Sequence, residues 1–334
     1  VHEDTLRATA GRLMIYNTFL LINRLTNLFN DLNMSNTHPS STPTQSRPSS
    51  AAGGTAPMDR LEALLKHFSV SARLFHAGPL CGVVDFDEAD VGYLHVIRRG
   101  PLRVTHRREG ELVIQQPSLL FYPQPLGHRF IADKTVGADM VCASVRFSGG
   151  GTNPLARALP PIIALPLTDI EAIAQSTSLL FGEALVPQCG RQSVVDRLFE
   201  VVIIQLIRHL MATASVDVGL IAGLSHPQLQ RALVAMHEAP GESWSLASLA
   251  ARAGMSRSTF AATFRDVVGM TPGDYLTHWR ISLAQTMVKK GMAMKHIASK
   301  VGYGSEVALS RAFSARVGVS ARAYKAAGAA ANNT

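Results

Sequence analysis

The sequence predicts an α+β protein: a β-rich N-terminal module, a helical connector, and an all-α C-terminal domain carrying two helix-turn-helix units. Three observations predict this. Short strand-like runs cut by turn residues fill 70–147. A helix–glycine–helix pattern occurs twice, with Gly254 and Gly302 at the two turns and Phe264, Gly269 and Tyr275 matched by Phe313, Gly318 and Tyr324. Charge is also segregated: His226 to Thr334 holds 13 Lys/Arg against 5 Asp/Glu, so it carries the whole excess of +8, and the rest of the chain is balanced. A neutral module joined to a basic one fits a sensor joined to a polyanion binder.

At 334 residues and 47% hydrophobic composition the chain is globular and long enough for two cores. Cys81, Cys142 and Cys189 are widely spaced and odd in number, which argues against a disulfide framework and for a reducing cytoplasm. The apolar run Leu13 to Ile22 is interrupted by Asn17 and Thr18 and falls short of the ~20 residues that span a bilayer, so no membrane partner is expected. Residues 12–33 read as a weak amphipathic helix. Residues 35–57, rich in Ser, Thr, Pro, Ala and Gly, read as a tether, and 1–57 as a disordered or non-native extension, with Met34 and Met58 as alternative starts.

Residues 58–67 have the spacing of a short amphipathic helix. Strands are predicted over 80–86, 92–98, 101–106, 111–116, 118–122, 128–132 and 138–147, punctuated by Arg99-Gly100, Glu109-Gly110, Pro117 and Pro123 to Gly127. Regularly spaced short strands point to a sandwich or small barrel over 58–165. Residues 168–213 are predicted helical. Val194, Val195, Leu198, Phe199, Val202, Ile203, Leu206, Ile207 and Leu210 form a broad stripe that must be buried, either on the β module or in a dimer interface. A loop over 214–225 leads to the basic domain, 226–328.

In that domain Ser245 is a candidate N-cap, with Leu246, Leu249, Ala250 and Ala253 facing inward. Gly254 suits a left-handed turn. Ser256 caps the second helix, on which Phe260, Phe264 and Val267 pack inward. Arg257, Ser258, Ala261 and Ala262 are left on the end of a recognition helix that meets base edges. Thr271-Pro272 opens a connecting helix, with Tyr275, Leu276, Trp279, Ile281, Leu283 and Met287 as core and Arg280, Lys289 and Lys290 exposed. The second unit repeats the scheme: Ile297, Ala298, Val301, Leu309, Phe313 and Val317 face inward, and Glu306, Val307, Ser310 and Arg311 face out. Glu306 is suited to a cytosine amine and Arg311 to guanine or phosphate. Lys295 and Lys300 are phosphate contacts, which set affinity rather than sequence. Around Ser305 the glycine after the serine is missing, so no nucleophile elbow of a hydrolase is present.

Ala250, Gly254, Phe264, Gly269, Thr271-Pro272, Tyr275, Arg280, Ala284, Ile297-Ala298, Gly302-Tyr303, Phe313, Gly318 and Tyr324 together resemble the DNA-binding domain of AraC/XylS-family transcription regulators. Ala321 departs from that pattern, which usually has proline there. The β module resembles the cupin-like N-terminal domain of one AraC subgroup, on His95 and Gly100, Leu119 to Pro123, Gly127-His128, Cys142, Asn153 to Leu155 and Leu159 to Pro161. The resemblance implies promoter DNA and RNA polymerase as partners, a homodimer, and a cupin domain that senses a signal rather than catalyses. The two-histidine-plus-glutamate motif of metal-dependent cupin enzymes is missing. The alternative is a metal-dependent cupin enzyme fused to a nucleic-acid-binding module. His95, His128 and Cys142 form a candidate Zn²⁺ set, with water or Cys81 as fourth ligand, and read equally as ordinary interior residues. The chain is also similar to reactive-chlorine-responsive regulators of the subgroup, which implies Cys81 and Cys142 as redox candidates; a sensor thiol needs a lowered pKa, for which Arg146 and His128 are candidate sources of positive charge, and Cys189, in the helical segment, reads as inert. A small-molecule effector inside the β module is the other signal.

Overall fold

The computed structural model describes residues 58–331, apart from Arg108. The expected tether and N-terminal helix lie outside the described residues. Short helix α1, Glu62–His67, precedes nine strands: β1 Val70–Leu80, β2 Val83–Phe86, β3 Gly92–Arg99, β4 Leu102–His106, β5 Gly110–Ile114, β6 Ser118–Tyr122, β7 His128–Ala132, β8 Ala138–Phe147 and β9 Ile163–Pro166, with helix α2, Pro154–Ala158, between the last two. They form two sheets, ordered β1-β8-β3-β6-β9 and β2-β7-β4-β5. The sheets do not close, so the expected barrel is a two-sheet sandwich. Phe86, Tyr93, Ile97, Leu102, Val104, Leu120, Tyr122, Phe130, Met140 and Cys142 fill the space between them.

Three strand expectations are corrected. The run 80–86 is not one strand: β1 stops at Leu80, and Gly82, at φ 74°, turns the chain into β2. Residues 70–80 form the longest strand, which alternation alone does not reveal because a bulge between Leu74 and His76 breaks its period. Strand β9 continues the larger sheet beyond Pro160-Pro161, so the boundary expected at 165 falls inside it.

The connector is two helices, α3 Glu171–Leu185 and α4 Arg191–Ala212, broken at 186–190, where Gly190 takes φ 75°. The α4 stripe is consumed within the chain. Val195, Phe199, Val202, Ile203, Leu206, Ile207 and Leu210 are buried, and the helix packs on β1, where Asp196 Oδ1 accepts from the Leu74 N–H at 2.8 Å. Val194 stays 41% exposed. Packing on the β module therefore accounts for the stripe without a dimer. The expected loop 214–225 holds helix α5, Leu220–Ser225, with five of its six residues buried. A helix buried on every side shows no 3.6-residue period, so its sequence does not announce it.

The C-terminal helices are α6 Leu229–Glu238, α7 Leu246–Ala253, α8 Arg257–Val268, α9 Pro272–Lys289, α10 Met294–Lys300, α11 Glu306–Val317 and α12 Ala321–Ala331. One apolar core runs from the larger sheet through α4 and α5 into this domain. Helix α1 joins it from the other side. Leu61 and Leu64 are buried, Arg60 donates to the Leu224 carbonyl at 3.0 Å, and Phe68 meets Trp279 edge-on at 5.2 Å.

Candidate nucleic-acid interface

Each turn is built from local signals. Helix α7 begins with a reciprocal cap: Ser245 Oγ accepts from the Ser248 N–H at 3.1 Å and Ser248 Oγ from the Ser245 N–H at 2.9 Å. It ends at Gly254, φ 66°. Ser256 then caps α8 through the Thr259 N–H at 3.2 Å. Phe260, Phe264 and Val268 are buried, while Val267, expected inward, is half-buried. Arg257, Ser258 and Ala262 are exposed and Ala261 is half-buried. Leu246 is corrected: as the first helical residue it is 43% exposed.

In the second unit α10 starts at Ala293 without a side-chain cap, and the turn is made at Gly302, φ 76°. Ser305 Oγ accepts from the Ala308 N–H at 3.1 Å. Leu309 and Phe313 are buried; Glu306, Val307 and Arg311 are exposed, and Ser310 is half-buried. Val307 is 59% exposed. Lys295 and Lys300 are exposed, with no ion-pair partner among the described residues. Arg316 is held by Asp274 Oδ1 at 3.0 Å and by His278 at 3.0 Å, which fixes α11 to the start of α9. The Thr271 hydroxyl, then Arg316, hold the Asp274 carboxyl below the usual carboxylate range.

Arg280 is corrected from exposed to half-buried. It donates to the carbonyls of Pro240, Glu242 and Gly302 at 2.8, 2.7 and 3.4 Å. Helical periodicity put it on the polar side of α9, and nothing local signals that a loop folds over that side.

In the sandwich, β3 places His95 opposite Cys142 of β8, and His95 and His128 are both buried. Their Nε2 atoms are 3.1 Å apart. His128 Nδ1 lies 2.8 Å from the Leu126 carbonyl and must carry the proton. In the neutral pair His128 Nε2 then accepts, His95 Nε2 donates, and His95 Nδ1 is left as a buried lone pair without a partner. Burial holds both rings neutral, His95 well below its ordinary value and His128 down to about 4. Tyr122 stacks on His128 at 3.9 Å and donates to His106 Nε2 at 2.8 Å.

Among the described residues no three His, Cys, Asp or Glu side chains lie close enough to hold a metal ion. The expected Zn²⁺ set of His95, His128 and Cys142 is therefore reduced to a histidine pair. Turning both Nε2 lone pairs toward a metal would also leave the His95 Nδ1 proton without an acceptor. The residues present do not fit the ion. Burial pushes the Cys142 thiol up, the opposite of what a reactive thiolate needs. Arg146 is exposed and His128 is neutral, so neither supplies the expected charge inside the sandwich. Cys81 is exposed just past β1. Because Cys142 pairs with His76, Cys81 sits five residues further along, roughly 16 Å away, too far for a disulfide. Cys189 is exposed in the break between α3 and α4 rather than on a helix.

Residues 59–212 match a cupin family and 249–327 a helix-turn-helix domain family. The chain is 37% identical over 171 residues to an AraC-like transcription regulator of Streptomyces antibioticus, covering 50% of this chain and 56% of that protein. It is 34% identical over 178 residues to the HTH-type transcriptional regulator AlkR of Acinetobacter baylyi, covering 52% and 58%. The chain thus spans a little over half the length of these two relatives. It is 25% identical over 236 residues to the RCS-specific HTH-type transcriptional activator RclR of Escherichia coli, covering 69% and 83%. A cupin domain followed by a helix-turn-helix domain defines the class. Together these matches support an AraC-family regulator in the form with a cupin-like N-terminal domain.

Proposed function

We propose that the protein is a sequence-specific DNA-binding transcription regulator whose cupin domain receives the signal. The observation that carries this reading is that both recognition helices leave most of their predicted faces exposed, with only Ala261 and Ser310 half-buried, on the third of the chain that holds all the excess positive charge. Arg257, Ser258, Ala261 and Ala262 read one major-groove segment, and Glu306, Val307, Ser310 and Arg311 the next; Lys295 and Lys300 bind phosphates. The partners are promoter DNA, RNA polymerase and a second copy of the chain, and the compartment is the cytoplasm, where the chromosome lies. The protein is not an enzyme on this reading: the sandwich interior offers a neutral histidine pair, and among the described residues no group of His, Cys, Asp or Glu stands ready to hold a metal ion.

For the signal, the partnerless lone pair of His95 favours a small ligand with a hydrogen-bond donor, enclosed by aromatic rings. Oxidation is the second reading, favoured at Cys81 by its exposure. Either signal reaches the readers through the shared core and through the Arg60 and Phe68 contacts with the C-terminal helices.

The test titrates the full chain against the duplex upstream of its own gene, reduced and mildly oxidised. Arg311→Ala is expected to lose ~1–3 kcal/mol on that duplex and little on random DNA. Lys300→Ala is expected to weaken both alike and lower the salt slope by about 0.9. Equal losses for Arg311→Ala on both duplexes would refute base reading there. A redox-dependent affinity that survives Cys81→Ser would remove that thiol from the mechanism.

A further inference from the structure

We propose that Arg280, Gly241 and Gly302 form a seam that locks the two helix-turn-helix units in one relative rotation, making Arg280 a positioning residue for the spacing between the two DNA segments. The inference rests on the DNA-reading function proposed above. Helix α9 sets the distance between the units, since 18 residues of helix span about 27 Å. The turn after α9 passes through Gly291 at φ 81°, and a helix end alone does not fix how the following unit is rotated about it.

At the seam the units touch directly. The loop between α6 and α7, which leads into the first unit, lies on the turn of the second. A Cβ on Gly241 would sit 3.2 Å from the Lys300 carbonyl oxygen, and one on Gly302 would sit 2.8 Å from the Gly241 carbonyl oxygen. The Arg280 guanidinium closes the gap from α9. It holds Pro240 and Glu242 of the first unit's loop and Gly302 of the second unit's turn. Among the described residues every hydrogen-bond partner of Arg280 is a main-chain carbonyl, and it makes no ion pair. Its planar fork suits three acceptors in fixed directions, which a lysine ammonium cannot reproduce. The Trp244 indole, donating to the Ala239 carbonyl at 2.9 Å, keeps the loop in shape.

Spacing is what such a lock would control. Each base pair advances the groove about 3.4 Å and rotates it about 35°. A freely hinged second unit would follow that change; a locked one would not.

The experiment uses the full chain. Wild type selects its preferred sequence from a random duplex pool, and one base pair is then inserted or deleted between the two protected segments. Wild type is expected to lose about tenfold or more per change of one base pair, and Arg280→Ala, Arg280→Lys and Gly241→Val to lose about threefold or less, with melting temperature measured alongside. Folded variants that keep the full wild-type spacing penalty would overturn the proposal. Should the larger substitutions fail to fold, Gly241→Ala decides. It adds one methyl at 3.2 Å, and a wild-type spacing profile in it overturns the seam. A wild type that selects a sequence but ignores spacing removes the seam and leaves the regulator reading intact. A wild type with no sequence preference sinks the regulator reading itself, and that is visible before any variant is made.

Discussion

In the first helix-turn-helix unit the leading helix starts from a reciprocal serine cap; in the second it starts from Ala293, with none. Beyond that the frames coincide closely. Ser256 and Ser305 cap the two recognition helices, and Gly269 and Gly318 end them at φ 82° each. Phe264 meets Tyr275 at 5.7 Å and 70°, and Phe313 meets Tyr324 at 5.6 Å and 74°. The faces diverge at every position: Arg257 stands where the second unit has Glu306, Ser258 where it has Val307, Ala261 where it has Ser310, and Ala262 where it has Arg311. Backbone geometry holds the shared positions and is indifferent to the outward ones. Two units with one frame and different faces fit the proposed reading of two different DNA segments, and the second offers the larger polar side chains on its face.

The largest expected effect tests whether the frames are equivalent. Phe264→Ala and Phe313→Ala should each cost ~3–5 kcal/mol in denaturant unfolding, since both rings are fully buried. Phe313→Ala should fall at the lower end, because Tyr324 is half-buried and free to move, whereas Tyr275 is enclosed. The reverse order would break the comparison.

Next comes a feature that only the first unit has. His237 of α6 is buried against Tyr275 and Trp279, its Nε2 2.6 Å from the Tyr275 hydroxyl. Burial, then the nearby His67, lowers its pKa to about 3 from an ordinary 6.5. A depressed pKa means the unfolded chain takes up the proton first, so this stability is present above pH 6.5 and is lost as pH falls toward 3. Between pH 7 and 4.5 the loss is about 2–3 kcal/mol. His237→Gln should flatten the stability–pH curve by that amount over that range. An unchanged curve would mean that His237 is not held neutral by the fold.

How much of this was legible in sequence follows from how local each cause is. Caps, turn glycines and inward aromatics act within a few residues, and Ser245, Gly254, Thr271, Gly302 and Phe313 stand where pattern put them. Strands β3, β6, β7 and β8 were legible because turns bracket them. Strand β1 was hidden by its bulge and α5 by burial on every side. Arg280 was misread because its partners lie 40, 38 and 22 residues away. In the sandwich the sequence offers His95, His128 and Cys142 as a Zn²⁺ set or as interior residues; it shows neither the direct contact of the two rings nor the environment of Cys142. Two residues at one register position share a side of the sheet, yet spacing does not reveal that this side is dry.

A smaller effect separates strain from collision at the two turns. Gly254→Ala meets nothing within 4 Å and carries only the left-handed backbone penalty, ~1–2 kcal/mol. Gly302→Ala carries the same penalty and also presses a Cβ to 2.7 Å from the Arg280 guanidinium and 2.8 Å from the Gly241 carbonyl oxygen. It should therefore cost more in thermal unfolding, and in an Arg280→Ala background part of the excess should vanish. Equal costs at the two glycines would mean that the seam yields without resistance.

The smallest effect has the opposite sign. Ala293 has the extended backbone of an N-cap, φ −67° and ψ 139°, is exposed, and offers no side-chain acceptor to the first turn of α10. Ser245 shows what the missing group does at the equivalent helix start. The His296 N–H already donates to the Ala293 carbonyl at 3.0 Å, so Ala293→Ser should add an acceptor only for the remaining first-turn amides and stabilise the domain by no more than ~0.5 kcal/mol. A neutral serine brings no charge toward the phosphates that Lys295 is proposed to meet, so affinity for random duplex should stay unchanged while the melting temperature rises. An unchanged melting temperature would mean that the His296 N–H bond to the Ala293 carbonyl already serves the first turn of α10, and the contrast between the two leading helices would then carry no stability.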